Sequence, residues 1–166
     1  MASITFKGNT IKTVGDLPKV GEQVPDFTLT NDSLQDISLK DFSGKRLVLN
    51  IFPSIDTGIC AMSVRHFNGE ASSLENTVVM NVSKDLPFAQ KRFCGAEGLE
   101  NVQNASEFKN HGFSSNYSVI MEEGPLAGLF SRAVVVINEA GKVIYTEQVP
   151  EIVQEPDYDK ALASLK

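Results

Sequence analysis

Hydrophobic and polar positions along the chain predict a strand that leads into a helix. Residues 47–52 (LVLNIF) are apolar apart from one asparagine and end at Pro53, a pattern typical of a strand covered on both faces. From Cys60 onward, apolar residues recur at intervals of three and four as far as Leu74. This spacing predicts an amphipathic helix that begins around Thr57. Cys60 is therefore expected in the first turn of that helix.

The other patterns predict strands and helices on either side of this unit. A β-hairpin is expected over residues 3–14 with Gly8-Asn9 at its turn, and a second hairpin around Gly141. Further strands are expected at residues 27–29, 37–39, 77–82, 101–104, 117–121 and 132–137. Further helical segments are expected at residues 88–94, 106–111 and from Pro156 onward. The chain is therefore expected to form an α/β fold.

Composition and charge exclude several classes of protein. The 166 residues are enough for one domain with its own core, so a single domain over residues 1–166 is expected. The chain has 15 basic and 21 acidic residues and no basic cluster, so neither nucleic acid nor an anionic membrane is an expected partner. No signal-peptide-like run is present, and no apolar stretch approaches the roughly 20 residues that cross a bilayer. We therefore expect a cytoplasmic protein.

The two cysteines are the main candidates for chemistry. In the cytoplasm a pair of cysteines is more often redox-active or inert than a permanent disulfide. Cys60 and Cys94 are too far apart in sequence for a C-x-x-C redox pair or a zinc knuckle. His66 and His111 lie in different segments, so no metal site is expected.

Cys60 has the features of a nucleophile. Unpaired N–H groups and the positive end of the helix dipole stabilise an anion in the first turn of a helix. The thiolate is the nucleophilic form of cysteine. The alternative is that Cys60 is a small core residue, because cysteine is among the most buried residue types.

Four sequence blocks carry a family resemblance. Pro53, Thr57 and Cys60 form the pattern P-x-x-x-T-x-x-C, which resembles the active-site loop of the peroxiredoxins. The blocks PSIDTGIC, RFCGAEGL, GPLAGL and RAVVVI together resemble the bacterial thiol peroxidase branch of that family. The resemblance covers essentially the whole chain. It implies a thioredoxin-like α/β fold, with a central mixed sheet flanked by helices and an added N-terminal hairpin.

The resemblance also implies an activity and a set of site residues. It implies a thiol-dependent peroxidase that reduces hydrogen peroxide and organic hydroperoxides without metal, haem or flavin. Cys60 would be the peroxidatic nucleophile and Cys94 the resolving cysteine of an intramolecular disulfide. Thr57 would place its hydroxyl beside the sulfur, Pro53 would shield it, and Arg132 would supply a nearby positive charge. Thioredoxin as reductant and a homodimer are the expected partners.

The three other residues that the resemblance assigns to the site also have simpler interpretations. Thr57 could be an N-terminal helix cap, Pro53 could simply end the strand, and Arg132 could be a solvated arginine at the start of a strand. Arg65, on the same helix as Cys60, is expected to point away from the thiol. Asp56 is expected to help cap the helix.

Two other functions stay open at this point. The first is a thioredoxin-like disulfide oxidoreductase or thiol redox sensor that passes oxidation to a partner protein. The second is a binding module in which both cysteines only pack.

A disulfide between Cys60 and Cys94 would join two predicted helices. Cysteines on two helices seldom lie close enough to form a disulfide. We therefore expect local unwinding around both cysteines on oxidation.

Overall fold

The computed structural model describes residues 2–166 as strands and helices that alternate along most of the chain. Its strands are β1 (Ser3–Phe6), β2 (Asn9–Lys12), β3 (Thr28–Asn31), β4 (Asp36–Ser38), β5 (Arg46–Ile51), β6 (Thr77–Ser83), β7 (Gln103–Ser106), β8 (Ala133–Ile137) and β9 (Val143–Gln148). Its helices are α1 (Gly58–Ala71), α2 (Pro87–Glu97), α3 (Gly112–Tyr117) and α4 (Tyr158–Ala163), with a short 3-10 turn at Leu39–Phe42. None of the helices in this part of the chain is both long and apolar enough to cross a bilayer.

The main sheet is mixed, as predicted. Within residues 2–166 it contains seven strands in the order β4-β3-β7-β6-β5-β8-β9. Strands β5, β6 and β7 are parallel neighbours, whereas β8 pairs antiparallel with the other edge of β5. β5, which was predicted to be covered on both faces, therefore lies near the middle of the sheet with β6 beside it.

Alternate residues of β5 face opposite sides of the sheet, which explains its continuous apolar run. One core contains Leu47, Leu49 and Ile51 with Phe113 and Tyr117 of α3. The other core contains Val48 and Phe52 with Cys60, Val64 and Phe67 of α1, Cys94 of α2 and Ala161 of α4. Both cysteines therefore lie on the same side of the sheet.

The predicted N-terminal hairpin forms, but its turn lies one residue earlier than expected. Lys7 and Gly8 occupy the turn with φ of 50° and 83°, and β2 begins at Asn9. A two-residue hairpin turn with two positive φ angles matches the twist of the strands, which accounts for this register. Thr5 N donates to Pro150 O at 2.8 Å, so the hairpin is joined to the segment after β9.

The segment after β7 differs from the prediction. The helical turn expected before Gly112 is wrong, because β7 extends to Ser106 through pairing with strands on both sides. The helix begins at Gly112 and includes Tyr117, which was expected in a strand. The buried carboxylate of Glu107 accepts a hydrogen bond from Ser114 N at 2.6 Å. These contacts are distant in sequence or depend on tertiary packing, so local periodicity does not reveal them.

The C-terminal helix is shorter than predicted. It begins at Tyr158 rather than at Pro156, and Asp157 is its N-cap. The Asp157 carboxylate accepts a hydrogen bond from Lys160 N at 3.1 Å. A side-chain oxygen that satisfies an unpaired N–H of the first turn stabilises the start of a helix, which accounts for a start directly after Asp157.

Candidate active site

Cys60 lies in the first turn of α1, as predicted, and is fully buried. The helix begins at Gly58, after Thr57 in an extended conformation (φ −96°, ψ 147°). Its first turn contains no acidic residue, so no neighbouring carboxylate in that turn opposes an anion at the sulfur.

Arg132 is the cation beside this sulfur. Its Nη1 donates to Cys60 Sγ at 3.3 Å, and its Nε donates to Ile152 O at 2.8 Å. The side chain is only 2% exposed. Strand register explains the contact, because Ala133 of β8 pairs with Ile51 of β5. Arg132, the residue before Ala133, therefore lies beside the loop that leads from β5 to the Cys60 thiol.

Thr57 and Pro53 form part of that loop. Thr57 is the N-cap residue, but its side chain makes no capping hydrogen bond, and its Oγ1 donates to Ser54 O at 3.0 Å instead. Among the hydrogen bonds of the described residues, none joins Thr57 Oγ1 to Cys60 Sγ. Pro53 is buried. The structure thus brings both residues close to α1 without placing the threonine hydroxyl on the sulfur.

Asp85 is a residue that the sequence analysis did not assign to the site. It accepts hydrogen bonds from Ser54 Oγ and Ile55 N, each at 2.8 Å, and from Ser83 Oγ at 2.6 Å. It directly precedes Leu86, the N-cap of α2. β5 and β6 are parallel, so the residues after them meet at one edge of the sheet. An acidic residue two positions after the end of a buried strand was the available signal.

The two other charged residues near the motif point away from the thiol. Asp56 was expected to help cap α1, which is wrong, because its exposed carboxylate pairs with Arg92 at 3.1 Å. Arg65 forms an ion pair with Glu97 and lies over the Phe93 ring at 5.5 Å. The expectation that Arg65 points elsewhere is therefore confirmed.

Cys94 lies in the last turn of α2 and is buried. The pKa of its thiol is raised above the ordinary value, mainly by burial; a hydrogen bond with Asn104 offsets part of this, and the negative charge of Asp32 adds to it. Gly98 ends the helix with φ of 68°, and Leu99 N donates to Cys94 O at 2.9 Å. Cys60 and Cys94 are both free thiols.

A cavity of about 400 Å³ lies next to the first turn of α1. Its wall includes Pro53, Thr57 and Arg132, and the rest is mainly apolar, with Phe6, Ile59, Met62, Leu126, Ile152 and Val153. In the described part of the chain, no group of three or more His, Cys, Asp or Glu side chains could hold a metal ion. The buried Cys60 thiol and the adjacent Arg132 guanidinium are the reactive and charged groups beside this cavity.

Solved structures place this fold in the thioredoxin-like class to which peroxiredoxins belong. A peroxiredoxin-like protein from Aquifex aeolicus superposes with a TM-score of 0.92 at 37% identity, covering 98% of this chain and 95% of that one. A thiol peroxidase from Chromobacterium violaceum gives a TM-score of 0.90 with the same coverage. Its 24% identity supports likeness of fold alone. The predicted thioredoxin-like fold is thus confirmed.

The chain belongs to the redoxin family, whose model matches residues 19–162. A thiol peroxidase of Corynebacterium glutamicum is 54% identical over 165 residues. One of Mycobacterium tuberculosis is 57% identical over 165 residues. Each alignment covers 99% of both chains. The resemblance to bacterial thiol peroxidases, first indicated by four short sequence blocks, is confirmed along the chain.

Proposed function

We propose that this protein is a thiol-dependent peroxidase that reduces hydrogen peroxide and organic hydroperoxides to water and alcohols. The observation that carries the proposal is the 3.3 Å contact between Arg132 Nη1 and Cys60 Sγ at the start of α1. A buried guanidinium and a helix N-terminus both favour a negatively charged sulfur. Such a sulfur is a strong nucleophile.

In the first step, the Cys60 thiolate attacks the terminal oxygen of the hydroperoxide. The S–O bond forms as the O–O bond breaks, and the bonding pair leaves on the second oxygen, which takes up a proton to give water or an alcohol. Cys60 is oxidised to a sulfenic acid. Arg132 stabilises the sulfur before attack and the charge that develops on the oxygens.

In this scheme Thr57 binds the hydroperoxide and Pro53 shields the thiolate from water. Both line the cavity next to α1. The Thr57 hydroxyl, which donates to Ser54 O in the free protein, would turn to hydrogen-bond a peroxide oxygen. Pro53 has no N–H to compete for the thiolate, and its ring limits the access of water. The apolar wall accommodates the organic part of a hydroperoxide.

In the second step, the Cys94 thiolate attacks the Cys60 sulfenic sulfur. The S–S bond forms as the S–O bond breaks, and the hydroxide that leaves takes up a proton to give water. The two cysteines share one apolar core but lie on different helices. Bridging them would therefore require the first turn of α1 and the last turn of α2 to rearrange.

The remaining parts of the proposal concern partners. A thioredoxin-type dithiol protein would reduce the disulfide by thiol–disulfide exchange and return both cysteines to thiols. The protein would act as a homodimer, in which Met62, 42% exposed beside the cavity, is a candidate contact. A single domain over residues 1–166 and a cytoplasmic location stay predictions from the sequence.

One equivalent of hydroperoxide added to the reduced protein tests this scheme. Peptide mass spectrometry should find a Cys60–Cys94 disulfide within one chain. Cys94→Ser should instead accumulate sulfenic acid at Cys60, and Cys60→Ser should not consume peroxide. Oxidation of Cys60 no faster than that of a free thiol would favour a disulfide oxidoreductase or thiol sensor. Peroxide turnover with and without thioredoxin tests the proposed reductant. Sedimentation of the reduced protein tests the proposed homodimer.

A further inference from the structure

A row of buried asparagines crosses the sheet beneath the two cysteine helices. Asn50 of β5 pairs in register with Asn81 of β6, and Asn81 pairs with Asn104 of β7. All three side chains are buried, with exposures of 1%, 0% and 4%. A buried amide is costly unless it is hydrogen-bonded. Three of them in one row suggest a role beyond filling the core.

The amides form a directional chain of hydrogen bonds. Asn50 Nδ2 donates to Asn81 Oδ1 at 3.1 Å, and Asn81 Nδ2 donates to Asn104 Oδ1 at 3.2 Å. Asn104 Nδ2 then lies 3.5 Å from Cys94 Sγ and donates to it. Reversing the Asn104 amide would bring its NH₂ group against that of Asn81. The row therefore fixes Asn104 with its N–H toward the sulfur.

The other end of the row reaches the helix of Cys60. Asn50 Nδ2 also donates to Ser63 Oγ at 3.2 Å, and Ser63 Oγ donates to Cys60 O at 2.8 Å. Asn50 Oδ1 is buried and has no partner among the described residues. Both N–H groups of Asn50 are thus used as donors, which sets the direction of donation along the row toward Cys94.

The position of Asn104 suits a cysteine that must become a nucleophile while buried. Burial alone disfavours a thiolate. A neutral Cys94 thiol can donate to Asn104 Oδ1, at 3.8 Å, whereas a thiolate can accept from Nδ2. Hydrogen bonds to a charged group are stronger than those between neutral groups. The same amide therefore holds Cys94 in either protonation state and favours the reactive one.

We propose that Asn104, oriented by the Asn50–Asn81 row, is a positioning residue for Cys94. It orients the Cys94 sulfur in the folded form and stabilises it as a thiolate, ready for attack on the oxidised Cys60 once the last turn of α2 rearranges. The inference rests on the resolving role proposed above for Cys94. It assigns Asn104 to the second chemical step only, because its side chain contacts Cys94 and not Cys60.

The test separates the two steps by rapid quench and mass spectrometry. Asn104→Leu removes both polar groups at similar size, and Gln103→Leu, on the exposed side of the same strand, is the matched control. Oxidation of Cys60 should change by less than about twofold in Asn104→Leu. Disulfide formation should slow by about tenfold, the effect of losing one hydrogen bond to a charged sulfur. Cys60 sulfinic acid should then accumulate at lower excess of peroxide.

A second readout uses the Cys60→Ser background, in which Cys94 is the only thiol. The pH midpoint for alkylation of Cys94 should rise by about one unit on Asn104→Leu and stay unchanged in Gln103→Leu. If Asn104→Leu does not fold, Asn104→Ser replaces it, because its hydroxyl oxygen can accept from Asn81 Nδ2 while the amide donor is lost and no charge is added. The same slowing and an upward shift of the alkylation midpoint are expected for Asn104→Ser.

The outcomes distinguish failure of the inference from failure of the proposed function. Wild-type rates of disulfide formation together with an unshifted alkylation profile would overturn the role of Asn104 and leave the peroxidase scheme intact. Absence of a Cys60–Cys94 disulfide in the wild-type protein would instead overturn the resolving role of Cys94. Slowing of both steps to the same extent would reduce Asn104 to a general structural residue and overturn the inference.

Discussion

Replacement of Arg132 by methionine is the perturbation with the largest expected effect on peroxide reduction. Methionine keeps a similar length and apolar stem but removes the charge that lies 3.3 Å from Cys60 Sγ. At an effective dielectric constant of about 20, two unit charges at that distance interact by about 5 kcal/mol. Desolvation of the guanidinium offsets part of this, and hydrogen bonds to charged groups contribute about 1.5–3 kcal/mol net. The rate of Cys60 oxidation should therefore fall by about 10- to 150-fold.

The assay must follow oxidation chemically, because the chain contains no tryptophan as a fluorescent reporter. Reduced protein is mixed with hydroperoxide, quenched with an alkylating reagent, and analysed for modified Cys60. Arg132→Lys keeps the charge but cannot reproduce the two separate contacts to Cys60 Sγ and Ile152 O, so an intermediate rate is expected. Arg65→Met, on the exposed face of α1, is the matched control and should react within about twofold of wild type.

Removing Arg132 also leaves Ile152 O without its donor, so part of any loss could come from a weakened fold. An unpaired buried carbonyl costs about 1–3 kcal/mol, and thermal unfolding of each variant measures this separately. Rates should be compared only at temperatures where every variant is folded. If folded Arg132→Met is oxidised as fast as wild type, the guanidinium does not activate the thiol and the proposed electrostatics are wrong.

Three further predictions concern other residues of the fold. Asp85→Asn removes one carboxylate oxygen, so at least one of the two loop donors, Ser54 Oγ and Ile55 N, loses its acceptor. Cys60 oxidation should therefore slow by about tenfold in the same quench assay, and the Tm should fall. Thr57→Val should lose about tenfold or more in that rate, whereas Thr57→Ser should retain most of it. Burial raises the pKa of Tyr117, so its phenol ionises more readily in the unfolded chain, and stability is lost as the pH rises above about 10. Tyr117→Phe should make this alkaline loss shallower in urea unfolding near pH 11, and an unchanged slope would refute the reasoning.

Local features of the site were predictable because they depend on neighbouring residues. The apolar run of β5, the proline that follows and the helical spacing after Cys60 together define a strand, a turn and a helix. Their order in the chain is enough to place the cysteine in the first turn. The fold class followed from the same alternation of strands and helices and from the family resemblance.

Contacts between distant segments were not predictable from periodicity. Arg132 came from the family resemblance, because nothing in the sequence states that β8 pairs with β5 in the register that brings it to Cys60. Asp85 and Asn104 were missed for the same reason, since each contacts residues of another segment, Ile55 in the loop before α1 and Cys94 in α2. The catalytic roles given to the individual residues stay predictions until the variants are measured.

The rate at which a hydroperoxide oxidises Cys60 in the reduced protein tests the central claim most directly. A buried thiolate held by Arg132 at the start of α1 should react at neutral pH at least roughly a thousandfold faster than free cysteine in the same buffer. Cys94→Ser should show the same fast first step, because the second thiol acts only afterwards. A rate constant within about tenfold of free cysteine would contradict the account.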